Sequence, residues 1–234
     1  MTVNVRTAWT CCYSLILALA CAAASEAAGP KVVQPFNGKD LSGWTLRKPQ
    51  GSKWVVGVAQ LDPANPSKLV VAGSGGGEMI NSVAQSVDII TEQKVGDCTL
   101  SLEVMVPKGS NSGIYLMGNY EIQVLDSWGR ENPGPGDMGG LYGASAPRVN
   151  ACKAPGEWQQ YLIEFQAPRF QDDKKVSNAV FKKVTLNGQV IHEKVEMKGV
   201  TGGAISAEQP TGPLMFQGDH GPVAFRNIKI TVTE

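Results

Sequence analysis

No window of the chain keeps an apolar i, i+3, i+4, i+7 pattern over three turns, which removes helical bundles and coiled coils at the outset. Short runs of period two recur instead. Cys98-Thr99-Leu100-Ser101-Leu102-Glu103-Val104-Met105-Val106 alternates as a half-buried strand does. So do Ile114–Met117, Tyr120–Leu125, Tyr161–Phe165, Val184–Leu186 and Phe225–Val232. Turn formers punctuate them: Pro107-Lys108-Gly109, Gly118-Asn119, Asn132-Pro133-Gly134-Pro135-Gly136 and Gly221-Pro222. Asn187-Gly188, between Val184-Thr185-Leu186 and Gln189-Val190-Ile191, predicts a tight hairpin. The 27 Gly and 14 Pro among 234 residues lie well above the roughly 12% of an average protein, as many turns require. Repeated short strands without helices imply an all-β chain, a two-sheet antiparallel β-sandwich of jelly-roll type. One core of this size suffices, and no repeat or linker divides the chain after residue 28.

The first 28 residues read differently. Arg6 is the only charged side chain before Glu26, and the block between them is apolar and ends in Ala22-Ala23-Ala24. A basic start, an apolar centre and small closing residues predict a signal peptide cleaved between 24 and 28, leaving a single domain over 29–234. The apolar block is short of the ~20 residues a span needs, and Ala18-Leu19-Ala20 is a poor lipidation context for Cys21. The expectation is export, to a periplasm, the cell surface or the medium, with no membrane partner after cleavage. Cys11, Cys12 and Cys21 would leave with the leader. Cys98 and Cys152 remain, either as a disulfide formed in an oxidising compartment or as two buried thiols. No CxxC or Cys/His cluster offers a structural zinc site. The 21 basic and 21 acidic residues balance, so there is no electrostatic footprint for nucleic acid or an anionic surface.

Two stretches break the strand rhythm. Gly73-Ser74-Gly75-Gly76-Gly77 lacks the Gly-Lys-Ser/Thr ending of a phosphate loop and reads as a turn. Ser127–Asn150 is a long loop carrying Trp128, Asp137, Tyr142 and Arg148, which reads as the rim of a binding site.

Candidate chemistry gathers in two places. On Tyr120-Glu121-Ile122-Gln123-Val124-Leu125-Asp126, Glu121 and Gln123 share one face and Tyr120, Ile122 and Val124 the other. Asp126 joins Glu121 only if a bulge follows Gln123. With that bulge, Glu121, Gln123 and Asp126 form a polar cluster suited to acid/base work on a sugar. The second place is Gly218-Asp219-His220-Gly221-Pro222-Val223-Ala224-Phe225-Arg226. His220 is one of only 2 histidines and can act as acid, base or metal ligand. Arg226, with apolar neighbours on both sides, reads as inward-facing, either paired with a carboxylate or stabilising an oxyanion. His192, just after the hairpin, reads as a surface residue. Trp44, Trp54 and Trp158 read as core.

The Glu121, Gln123, Asp126 spacing resembles the E-x-D-x-x-E strand of jelly-roll β-glucanases, with Gln123 and Asp126 as departures. A broader resemblance runs through the chain. Phe36-Asn37-Gly38-Lys39-Asp40-Leu41-Ser42-Gly43-Trp44, Asn111-Ser112-Gly113-Ile114-Tyr115-Leu116, the Tyr120–Asp126 strand, Gly140-Leu141-Tyr142-Gly143, Gly156-Glu157-Trp158 and the Gln217–Ile228 run occur in the order seen in the 3-keto-disaccharide hydrolase domain family. The resemblance implies a concanavalin A-like jelly roll acting on glycosides already oxidised to a ketone at C3. Such a ketone acidifies the C2 hydrogen, so the aglycone can leave from C1 by β-elimination and water can add back.

On that footing Glu121 or His220 is the base, Asp126 or His220 the acid, and Arg226 the enediolate stabiliser, with or without a divalent metal ion. Glu121, Asp126 and His220 have donor types that suit such an ion. Asn111, Gln123, Trp128, Tyr142 and Gln217 are the substrate-binding candidates, for an oxidised disaccharide or glycoside. The alternatives are a non-catalytic carbohydrate-binding module, with Trp128, Tyr142 and Trp158 as stacking platforms, and an extracellular scaffold.

Overall fold

A computed structural model describes residues 1–2 and 29–233 of the chain. The leader reading of residues 1–28, with Cys11, Cys12 and Cys21, falls almost wholly outside the described residues. The strands in chain order are β1 (Lys31–Val33), β2 (Trp44–Leu46), β3 (Trp54–Gly57), β4 (Ala59–Asp62), β5 (Asn65–Val71) and β6 (Glu78–Asn81). Next come β7 (Ile89–Val95), β8 (Cys98–Met105), β9 (Asn111–Leu116), β10 (Tyr120–Leu125), β11 (Gln159–Gln166) and β12 (Arg169–Gln171). Then follow β13 (Lys174–Ser177), β14 (Ala179–Leu186), β15 (Gln189–Met197), β16 (Gly212–Phe216) and β17 (Val223–Val232).

Two antiparallel sheets form the sandwich the alternation predicts. The larger has eight strands in the order β15-β14-β11-β8-β17-β6-β3, with β1 beside β17. The smaller has five, in the order β10-β9-β16-β7-β2. Alternation sends one face of each inward. Leu100, Leu102 and Val104 of β8 and Tyr161, Ile163 and Phe165 of β11 meet Ile114, Ile122, Val124 and Phe216 from the smaller sheet in one buried cluster. Phe216 stacks on Phe225 across the two sheets, with ring centroids 3.8 Å apart. Trp44 and Trp54 lie in the same cluster, as expected. The Asn187-Gly188 hairpin is present, and both residues take the positive φ (51° and 81°) that this turn demands.

Two expectations change, and one left open is decided. His192 is buried, with Nε2 2.8 Å from the Gly139 carbonyl oxygen, because the hairpin face it occupies packs under the Ser127–Asn150 loop. Trp158 is half-buried on the outer face of the larger sheet rather than in the main core. Cys98 and Cys152 are not bridged; both are buried free thiols. Cys98 pairs with Phe165 at one end of β11, whereas the Lys153 amide beside Cys152 donates to Gln159 Oε1 at the other. Six strand steps, roughly 20 Å, separate those ends, and a disulfide needs Cα atoms within about 7 Å. Burial pushes the thiols up to about 12 and about 11, which leaves them inert. Reductant is therefore expected to leave the melting temperature unchanged. A bridge contributing about 2–4 kcal/mol would instead lower it by several degrees on reduction.

Candidate active site

The outer face of the smaller sheet carries the polar set. β9 and β10 pair without irregularity, Glu121 opposite Tyr115 and Gln123 opposite Gly113. Asn111, Gly113, Tyr115, Glu121 and Gln123 therefore share one face, while Ile114, Ile122 and Val124 fill the core. A three-residue turn with Met117 and Gly118 at positive φ joins the two strands. Tyr115, Asn111, Glu121, Gln123, Tyr142, Gly202, Gly203, Gln217 and His220 line a cleft of about 190 Å³.

Glu121 lies at its floor, only 3% exposed. It fits because residue 113 is glycine. A Cβ there would run into Glu121 Oε1 and sit 2.8 Å from Tyr115 Cε2. Burial pushes the Glu121 carboxyl up to about 7, with the Tyr115 phenol and His220 moderating the rise. Tyr115 donates to the Gly202 carbonyl at 3.1 Å, and burial beside Glu121 holds its phenol far above the usual tyrosine range. Gln217 Nε2 reaches the Tyr115 hydroxyl at 3.5 Å. Two buried acceptors, Asn111 Oδ1 and Gln123 Oε1, have no hydrogen-bond partner. Unpaired buried acceptors cost about 1–3 kcal/mol each, so they mark where a ligand's hydroxyls would donate.

Glu121 gives up stability for its position. Its carboxyl titrates near 4.5 when solvated and near 7 when folded, so over that interval the native state binds more protons than the unfolded one. Stability is full below about 4.5, falls as pH rises through about 7, and levels off above. At about 1.4 kcal/mol per pKa unit the loss is on the order of 3 kcal/mol. Glu121→Gln is thus expected to raise the melting temperature relative to wild type at pH 8 and not at pH 4. Equal shifts at both pH values would contradict it.

Loops complete the cleft. The Glu121 amide donates to Thr201 Oγ1 at 3.0 Å, and Thr201 Oγ1 donates to the Asn119 carbonyl at 3.1 Å. Glu208 anchors the far end of that loop, accepting from the Tyr120 hydroxyl at 2.5 Å and pairing with Lys175 at 2.6 Å. Gly203, at φ 80°, sits under Tyr115, whose hydroxyl would be 2.6 Å from any Cβ. On the opposite wall Gln217 donates its amide to the Gly113 carbonyl at 3.0 Å. The Gly218 amide donates to Asp88 Oδ1 at 3.1 Å. His220 stands at the mouth, exposed, with Nδ1 hydrogen-bonded to Asp219 Oδ1.

The cleft thus gathers Glu121, His220, Asn111, Gln123, Tyr142 and Gln217 from the sequence candidates. It does not gather Asp126, Arg226 or Trp128. No bulge interrupts β10, so Asp126 leaves the strand on the other side. Its carboxylate caps two turns, accepting from Gly109 N at 2.9 Å and Trp128 N at 3.2 Å. Trp128 is exposed and outside the cleft.

Arg226 neighbours the inward Phe225 and so points out of the larger sheet. Its Nε donates to Glu103 at 2.5 Å, its terminal nitrogen reaches Glu78 at 3.3 Å, and its guanidinium lies 4.0 Å over the Trp158 ring. Of the two readings of Arg226, the carboxylate pair is the one present. Arg226→Ala should destabilise the fold by roughly 1–3 kcal/mol by taking the cation from two partly buried carboxylates, which keep only the Ala59 amide and Asn227 as donors, measured by urea denaturation, and leave kcat unaltered.

With Asp126 turned away, Glu121, Asp126 and His220 do not form a donor set. Among the described residues no three His, Cys, Asp or Glu side chains are placed to hold an ion.

Tyr115, Thr201, Gly202 and Gly203 escaped the sequence reading. Tyr115 was within reach of it: from Asn111, period two leads through Gly113 to Tyr115 on the same face. The loop residues carry no local signal.

The chain belongs to the 3-keto-alpha-glucoside-1,2-lyase-like domain family, whose model matches residues 31–231. The family and the fold, with a small polar cleft and a buried carboxylate on one face of a jelly roll, make this a carbohydrate-active protein. A crystal structure of a candidate glycosyl hydrolase from Parabacteroides distasonis ATCC 8503 is 30% identical, with a TM-score of 0.67 over 86% of this chain and 84% of that one. Two more from that organism are 18% and 20% identical, with TM-scores of 0.59 and 0.52. Each aligns with 87% of this chain, covering 94% and 100% of its own, and these show the fold alone. No curated protein matches.

Proposed function

We propose that the protein cleaves the glycosidic bond of 3-keto-glycosides or 3-keto-disaccharides by elimination and hydration. The observation that carries this reading is Glu121: a buried carboxylate poised near neutrality, beside two unpaired acceptors and within reach of an exposed histidine. Glu121 takes the proton from C2, and the electron pair forms an enolate with the C3 ketone. The enolate collapses, the C1–O bond breaks, and His220, held by Asp219, protonates the departing oxygen. Water then adds across the C1–C2 double bond, its hydroxyl to C1 and its proton to C2. The net reaction consumes one water and yields a 3-keto sugar and an alcohol. Gln123 and Asn111 accept from ring hydroxyls, and the Gln217 side-chain NH2, which lines the same cleft, is the donor to the enolate. A conventional retaining hydrolysis needs two carboxyls about 5–5.5 Å apart; among the described residues Glu121 is the only carboxylate lining the cleft, and elimination needs one.

The reading also has the domain working after export, with residues 1–28 removed. N-terminal sequencing of protein from the native host would then begin within residues 25–29, and an intact Met1 would refute it.

The direct test incubates purified protein with a 3-keto disaccharide and, separately, the unoxidised parent, with and without chelator. Cleavage of the keto sugar alone supports the proposal. Cleavage of the parent makes the protein a conventional glycosidase. Cleavage of neither, with sugar binding retained, makes it a binding module.

A further inference from the structure

A cleft of about 190 Å³ is smaller than the roughly 300–1,000 Å³ of sites that enclose drug-sized ligands. One sugar ring fills it, so the group leaving from C1 must lie outside. Two hollows adjoin it. One, of about 240 Å³, is walled by Arg47, Lys48, Ser86, Val87, Asp88 and Asp219. The other, of about 350 Å³, lies past Tyr142 beside Lys198 and Thr201.

The structure singles out the first. Asp219 is on its wall and His220, the next residue, is on the wall of the main cleft. Arg47 spans the same divide, donating at 3.2 Å to Asp88 Oδ2 and at 3.3 Å to the carbonyl of Gly203, a cleft residue. The departing oxygen must come within hydrogen-bond reach of its proton donor, so whatever is attached to it lies on the His220 side. We infer that the Arg47–Asp88 hollow is the leaving-group subsite, and that it takes a second hydroxylated sugar ring rather than an apolar aglycone. Its walls suit such a ring: Lys48, Ser86 and Asp219 offer donors and an acceptor beside the Arg47–Asp88 pair, and among the described residues no aromatic plate lines it to receive an aryl group. The inference rests on the proposed roles of Glu121 and His220, and it makes the preferred substrate a disaccharide.

Two measurements test it. In turnover, kcat/KM for a 3-keto disaccharide is expected to exceed that for the 3-keto methyl glucoside at least tenfold, and Lys48→Ala and Arg47→Gln should each collapse that ratio toward 1. In binding, calorimetry on Glu121→Gln protein uses the unoxidised disaccharide and methyl glucoside. The disaccharide should bind at least tenfold tighter, about 1.4 kcal/mol, and adding Lys48→Ala should close the gap. No gap in the binding arm overturns the subsite, whether or not turnover is seen. A gap with no turnover of either keto sugar leaves the subsite standing and overturns the reaction. A gap closed by Lys198→Ala instead puts the second ring past Tyr142 and overturns the assignment.

Discussion

Glu121→Gln is expected to abolish turnover of a 3-keto disaccharide while the protein still binds sugar. General-base catalysis contributes roughly 10²–10⁴-fold, and among the described residues no second carboxylate lines the cleft to take over. The substitution is nearly isosteric, keeps the Thr201 contact through the backbone, and removes a buried charge, so the folded state is not at risk. Calorimetry with the parent disaccharide should give a Kd within a few-fold of wild type. Retention of more than about a tenth of wild-type kcat would remove Glu121 from the base role and leave His220 as the remaining candidate. A binding module would have no turnover to lose.

Gly113→Ala should cost nearly as much activity with little loss of stability. The new methyl meets the end of the Glu121 side chain and the edge of the Tyr115 ring, and the carboxylate is the more easily displaced of the two. A displacement near 1 Å at a reacting group is worth about 10²-fold in rate. The backbone at 113 is ordinary strand, paired with Gln123, so alanine adds no conformational strain there. The expected result is a hundredfold fall in kcat with a melting temperature within a few degrees of wild type. Full activity would mean that the carboxylate does not need the position it holds over Gly113. The pairing of a large kinetic effect with a small thermal one separates this variant from ordinary core damage.

The sandwich was legible where the two faces of a strand differ in polarity. β8, β10 and β11 alternate cleanly, and their inward residues form the core. β16 is buried along its whole length, so Gly212-Pro213-Leu214-Met215-Phe216 shows no period and gave no signal. The same logic sorts the site. Glu121 and Gln123 were placed correctly because period two needs nothing beyond the strand itself. Asp126 needed a bulge that β10 does not have, and its side chain caps turns instead. Arg226 went wrong because two apolar neighbours were taken as an apolar setting. On a strand, the inward Phe225 argues that its neighbour faces out. Trp128 was inferred from its place in the long Ser127–Asn150 loop, whose Tyr142 reaches the cleft while Trp128 stays outside it. Thr201, Gly202 and Gly203 reach the cleft from about 80 residues beyond Glu121, a distance no local pattern spans.

β10 is the last strand of its sheet, and its free edge is not left bare. The loop from Ser127 lays Gly139, Gly140 and Tyr142 along it: Gln123 N donates to Gly140 O at 2.8 Å, Gly139 N to Gln123 O at 2.9 Å and Tyr142 N to Glu121 O at 3.2 Å. An internal clasp keeps that loop in place, with Asp137 accepting from Gly134 N at 2.6 Å and pairing with Arg130 at 3.1 Å. An open edge of alternating apolar residues is a template for another chain. The segment that shapes the cleft is thus also the guard against self-association, and a version of the protein trimmed between Arg130 and Arg148 would aggregate before its specificity could be measured.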